Sequence, residues 1–147
     1  MDERREILMT YLRVTQHVSR QFRSHFGQLH LTFPQALALS VLAAGGTMTL
    51  GALASETKSA NSTISGVVDR LEKLGLARRE HSSSDRRIIY VSATDKYRAL
   101  NEKTKSDVGD YFASLLDKMS NEDQNMLHGA LCMLEKALDQ AEKGETE

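Results

Sequence analysis

The 147-residue chain has one cysteine, Cys132, which excludes an internal disulfide and any cysteine-based metal cluster within one chain. A reducing compartment fits. Apolar runs are only a few residues long, and the opening MDERREILMTYL carries both charge signs with no small-residue cleavage site. Neither a membrane span nor a leader is expected, so the expected location is cytoplasmic. Catalytic signatures are missing too. His81, Ser82 to Ser84 and Asp85 set hydrolase residue types side by side, but adjacency is not triad geometry. There is no nucleophile elbow, phosphate-cradling glycine loop or dinucleotide fingerprint, so no enzyme is expected. His17, His25, His30, His81 and His128 show no ligand-like spacing with Cys132 or clustered carboxylates, so neither metal nor cofactor is expected.

What is present suffices for a core, since 40% of the residues are hydrophobic, and the length suits one domain or a compact pair of sub-regions. Net charge is only −1, but it is unevenly spread. Residues 1–55 carry +2, residues 56–98 carry +3 and residues 99–147 carry −6. A weak global charge therefore hides a basic middle and an acidic C-terminal third.

The apolar spacing predicts mostly helix. Leu8, Tyr11, Val14, Val18, Phe22, Phe26 and Leu29 form one stripe, so a helix from Glu3 to Phe26 is expected. Thr32 is a good N-cap for a helix reaching Ala44, with Pro34, the only proline, in its first turn, where a missing N–H costs nothing. Thr47-Met48-Thr49 then reads as a short extended link. Thr49 caps a short helix from Leu50 to Glu56. After a turn at Thr57-Lys58 a longer helix carries Ile64, Val67, Val68, Leu71 and Leu74 on one face, and Gly75 closes it in a left-handed conformation. LARREH and IIYVS are strands, with SSSDRR as the tip between them. Thr94 caps a long helix running from Asp95 to Lys118, although Gly109 thins its pattern. Ser120 caps a last helix whose stripe is Met126, Leu127, Leu131, Leu134 and Leu138. The fold class is mainly α with a small β-hairpin.

The middle segment carries the functional signal. With Ile64, Val67, Val68 and Leu71 turned inward, Ser62, Ser65, Gly66, Asp69 and Lys73 fall on the opposite side, flanked by Thr63 and Arg70. Small hydroxylic residues there suit a helix in a DNA major groove, and Gly66 allows close backbone approach. The same NSTIS cluster also reads as helix capping alone. The hairpin shifts the balance. A helix-turn-helix followed at once by two strands with Asp85-Arg86-Arg87 at their tip is the order of a winged helix-turn-helix, and a wing arginine suits a narrow minor groove. Asp85 repels phosphate, so its expected role is to pair with Arg78, Arg79 or Arg86 and hold the tip in shape.

The run LTFPQ, TLGALA, STISGVVDRLEKLGLARR and SDRR, covering residues 31–96, resembles the multiple antibiotic resistance regulator (MarR) family. The resemblance implies a sequence-specific transcriptional regulator, a homodimeric repressor on a palindromic operator. Residues 1–31 and 95–147 would form the helical dimerisation region and residues 32–94 the winged helix-turn-helix. It marks Ser62, Thr63 and Ser65 as base or phosphate contacts and Arg87 as the minor-groove residue, with Arg86 and Asp85 supporting the wing. One departure concerns the start of the fifth helix, where Tyr97 replaces the glycine usual in Leu-Thr-x-x-Gly.

The two chain ends support a dimer independently, because their stripes exceed what a small winged domain covers. Relatives of this kind are often released from DNA by small aromatic molecules, and Tyr11, Thr15 and His25 are the polar residues in the first stripe that such an effector would meet. Cys132 reads as a packed, inert thiol. The competing reading is a winged module that binds only protein. It would need exposed apolar residues on the second helix of the pair, which Ser62, Gly66, Asp69 and Lys73 do not supply.

Overall fold

Helix α1 (Glu3–Phe26) opens the chain as its stripe predicts. The computed structural model describes residues 2–26, 29–104 and 107–145, the side chains of residues 25, 26 and 104 excepted. Packing divides the chain into two compact units, Met1–Asp110 and Tyr111–Glu147.

Helix α2 (Phe33–Gly45) starts with a full capping box. The Thr32 backbone N–H donates to Gln35 Oε1 at 3.0 Å, and the Gln35 N–H donates back to Thr32 Oγ1 at 3.4 Å. Helix α3 (Leu50–Glu56) is capped by Thr49, whose Oγ1 accepts from the Ala52 N–H at 3.0 Å. Helix α4 (Asn61–Lys73) follows a turn in which Lys58 takes a positive φ of 50° and the Thr57 hydroxyl donates to the Leu53 carbonyl at 2.8 Å. Leu39 and Leu42 of α2, Leu53 of α3, and Ile64, Val68 and Leu71 of α4 are fully buried in the core of this unit. Each such side chain contributes about 1.5–3 kcal/mol relative to exposure.

Gly75 ends α4 at φ +75°, as expected of a left-handed C′ residue, and Thr94 Oγ1 donates to its carbonyl at 2.6 Å. Strands β2 (Ala77–His81) and β3 (Ile89–Ala93) pair antiparallel, with Arg79 opposite Val91 and His81 opposite Ile89. The segment expected as a link supplies a third strand, β1 (Met48–Thr49), so the sheet runs β1-β3-β2. The unit is a winged helix-turn-helix.

The long fifth helix expected to reach Lys118 is instead two, α5 (Asp95–Thr104) and α6 (Val108–Leu116). Asp107 is the physical reason. It is 5% exposed, its Oδ1 accepts from the Asp110 backbone N–H at 3.1 Å as a capping side chain does, and it also accepts from Ser40 Oγ at 3.2 Å. Ser40 Oγ in turn accepts from the Gly109 N–H at 3.0 Å, and a Cβ on Gly109 would lie 2.6 Å from that oxygen. The break is thus locked onto α2. Tyr97 completes the lock: it is 2% exposed and donates its hydroxyl to Asp107 Oδ2 at 2.8 Å, while α5 starts at Asp95 as expected. In the second unit, Ser120 Oγ accepts from the Asp123 N–H at 3.1 Å and starts helix α7 (Asn121–Gly144), which has no buried residue.

Burial, reinforced by the hydrogen bond to Asp107 and the charges of Asp107 and Asp110, raises the Tyr97 phenol pKa far above its ordinary 10.0. A raised acid pKa gives stability that is complete below the unfolded value and is lost as pH rises above it. Urea unfolding should therefore show Tyr97→Phe to be less stable at neutral pH by about 1–3 kcal/mol, because a buried carboxylate oxygen loses its donor. Above pH 10 the wild type should lose stability more steeply than the variant. Equal slopes in both proteins would remove this role.

Candidate nucleic-acid interface

Helix α4 and the β2–β3 tip place their polar residues very differently. Ala60 is the N-cap of α4 and makes no side-chain capping bond, so the hydroxyls of the NSTIS cluster are not spent on capping. Ser62 and Thr63 are exposed, and neither hydroxyl has a hydrogen-bond partner among the described residues. The first-turn N–H groups stay open beside them, at the positive end of a 13-residue helix. Gly66, Arg70 and Lys73 are exposed as well, and a Cβ on Gly66 would meet nothing within 4 Å. None of the exposed large hydrophobic side chains among the described residues belongs to this helix.

Ser65 is different, being half-buried and held. Arg79 of β2 donates through one terminal nitrogen to the Ser65 carbonyl at 2.9 Å and to Ser65 Oγ at 3.0 Å. Its other terminal nitrogen pairs with Asp69 and, at 2.9 Å, with Glu72 Oε1. The Arg79 backbone N–H also donates to Glu72 Oε2 at 3.3 Å. Partial burial opposes the Arg79 charge, but hydrogen bonds to and charges of Asp69 and Glu72 outweigh it and raise the guanidinium pKa. One positive charge is thereby set against two carboxylates, offsetting part of their charge, and the strand is fastened to the helix.

At the wing tip the expected partner of Asp85 is corrected. Arg78 pairs with Glu80 at 3.6 Å and Arg79 with α4, so neither reaches Asp85. Asp85 instead forks Arg87: Oδ1 accepts from the Arg87 backbone N–H at 3.0 Å and from Nε at 3.2 Å, and Oδ2 accepts from a terminal nitrogen at 3.2 Å. Proximity decides this, since residues i and i+2 of a tight tip reach one another without leaving it. These bonds hold the Asp85 carboxyl below its ordinary pKa, so the fork persists above that range and opens as pH falls through the lowered value. Arg87 remains 91% exposed. Ser82 shapes the loop, its Oγ accepting from the N–H groups of Ser84 and Asp85, both at 3.3 Å.

Among the other named residues, Tyr11 and Thr15 lie exposed on α1, and the His25 side chain lies outside the described residues. Cys132, expected to be packed, is exposed in the single chain, with its Sγ 3.4 Å from His128 Nε2, one helical turn away. The i, i+4 spacing of His128 and Cys132 puts the two side chains on one face of α7. No group of three or more His, Cys, Asp or Glu suited to a metal ion occurs among the described residues. No helix among them is long and apolar enough to cross a membrane.

A sequence profile of the MarR family matches residues 30–88. The chain is 30% identical over 145 residues to the uncharacterized HTH-type transcriptional regulator YfiV of Bacillus subtilis, covering 96% of this chain and 88% of that one. Among solved structures it is similar to AbsC, a MarR family transcriptional regulator from Streptomyces coelicolor, at a TM-score of 0.76 and 25% identity over 95% of this chain and 97% of that one. It is also similar to NadR, solved in complex with 4-hydroxyphenylacetate, at a TM-score of 0.68 and 25% identity over 87% and 91% of the two chains.

The Arg79 link is testable without any ligand. Arg79→Met should lower stability by about 1–2 kcal/mol in urea unfolding, since its carboxylate partners are partly solvated. It should also speed amide exchange at residue 79, whose N–H donates to Glu72. Unchanged exchange there would mean that the strand does not depend on the side-chain fork.

Proposed function

Because the chain belongs to the MarR family of DNA-binding transcriptional regulators, we propose that it is a homodimeric repressor reading a palindromic operator with paired α4 helices and wings. The carrying observation is the outer side of α4, with free hydroxyls of Ser62 and Thr63 and open first-turn N–H groups at its start and the exposed cations Arg70 and Lys73 in its last turn. Those groups suit phosphates and base edges in a major groove. Gly66 lets the backbone come close, and Ser65 contributes while held by Arg79. Arg87, fixed in direction by Asp85, enters the adjacent minor groove, and Arg86 accompanies it.

Residues 1–31 and 95–147 form the dimerisation region of this reading and residues 32–94 the DNA-binding region. Its support is the apolar surface that one chain leaves uncovered: Ile7, Leu8, Tyr11 and Val14 on α1, and Met126, Leu131, Met133 and Leu138 on α7. A two-fold partner buries such stripes and sets two recognition helices about 34 Å apart. Repression follows by occupation of promoter DNA. A small aromatic effector meeting α1 near Tyr11, Thr15 and His25 is the proposed release signal, supported by the ligand in NadR.

Selection from random duplexes at fixed salt should recover an inverted repeat with half-sites about one turn apart. On that repeat, Arg87→Ala should weaken binding by about 1–3 kcal/mol and blunt preference for A·T-rich flanks. Recovery of no motif, with weak binding that vanishes in modest salt, would reduce the function to nonspecific electrostatics.

A further inference from the structure

The wing tip uses most of its polar groups on itself. Ser82 donates its N–H to the Ile88 carbonyl at 2.9 Å, Ile88 donates to the Asp85 carbonyl at 3.0 Å, and Asp85 takes up Arg87. The Arg86 side chain is not used in this way, being exposed and without a partner among the described residues. Its backbone is not free, because His81 Nδ1, at the end of β2, lies 2.9 Å from the Arg86 carbonyl oxygen. A carbonyl oxygen only accepts, so Nδ1 carries the proton. This bond spans five residues, from the last paired strand position to the turn. It ties down the carbonyl side of the Arg86–Arg87 peptide, whose N–H donates to Asp85 Oδ1.

We propose that His81 is a positioning residue for DNA binding, and that through the Arg86 carbonyl it sets the Arg86 guanidinium against a backbone phosphate flanking the groove that Arg87 enters. The proposal rests on the reading of the wing as a DNA-binding element. Arg87 has Nε and a terminal nitrogen engaged by Asp85, whereas all five N–H donors of Arg86 are available, which suits bidentate capture of a phosphate. An arginine on an unrestrained loop loses backbone and side-chain freedom when it docks, and the His81 bond, on the carbonyl side of a peptide whose N–H Asp85 holds, lowers the backbone part of that cost beforehand. A phosphate contact carries no sequence information, so its loss weakens binding evenly across DNA sequences, unlike loss of a groove reader.

The test is a set of binding titrations over a range of salt concentrations, using the full chain, the selected repeat and variants of that repeat with altered flanks. Arg86→Ala should weaken binding about tenfold on every flank and lower the slope of log affinity against log salt by about one. His81→Leu should reproduce most of that loss and the same change in slope, and combining the two should be no worse than Arg86→Ala alone. His81→Asn, whose amide N–H takes the place of Nδ1–H, should bind within about twofold of wild type. Additive losses, an unchanged salt slope in His81→Leu, or His81→Asn binding as poorly as His81→Leu would each overturn the proposal. Failure of the wing reading itself would look different: Arg87→Ala and Arg86→Ala would both bind as wild type does.

Discussion

The Arg79 guanidinium lies where the helix and the wing have to agree. Its planar fork reaches the carbonyl and hydroxyl of Ser65 with one nitrogen and the carboxylates of Asp69 and Glu72 with the other. A lysine has the charge but no rigid fork, so it could not satisfy both directions at once. The consequence is mechanical and electrostatic together. Strand β2 cannot shift along α4 without breaking several charge-assisted bonds, so the helix and the strand are held in one register. The guanidinium also offsets one of the two carboxylate charges that would repel a polyanion on the exposed side of α4.

The wing applies the same logic on a smaller scale. The seven-residue tip between the two strands, 82–88, has more backbone donors than its own carbonyls receive, so side chains serve as acceptors for others. Ser82 and Asp85 supply those acceptors, and His81 supplies the donor that the Arg86 carbonyl needs. Ser83 is exposed and takes part in none of these bonds. The serine and acid content of the tip thus has a specific internal use, and the two arginines are left pointing outward on a loop of defined shape.

Most of the fold was legible because it rests on local rules. The caps at Thr32, Thr49 and Ser120, the left-handed Gly75 and the apolar periods of α1, α4 and α7 are all decided within a few residues of themselves. What escaped was decided at a distance. The α5–α6 break depends on Ser40, 67 residues from Asp107, and Tyr97 gives no sign in the sequence that its hydroxyl is the third partner. A two-residue β1 has no period to detect, and becomes a strand only because β3 offers an edge. At the candidate site the residue types were readable, but their pairing was not. Several arginines lay close in sequence to Asp85, and only the tightness of the tip selects Arg87. Arg79 could have been suspected as the partner of Asp69, ten residues away, had the helix and strand been drawn side by side.

The charge distribution bears on how the proposed assembly would behave. In one chain neither α1 nor α7 buries a described side chain, yet a helix in a protein draws most of its stability from packing its amphipathic face. Their apolar stripes therefore need cover, and cover of that kind is held by the hydrophobic effect. In the proposed complex Arg70, Lys73, Arg86 and Arg87 would be held to DNA by charge instead. Salt screens the second association and leaves the first largely intact. A dimer that leaves DNA as ionic strength rises would thus leave it as a dimer, with both recognition helices still on one body. Rebinding would then need only one encounter, rather than assembly of two chains on the operator.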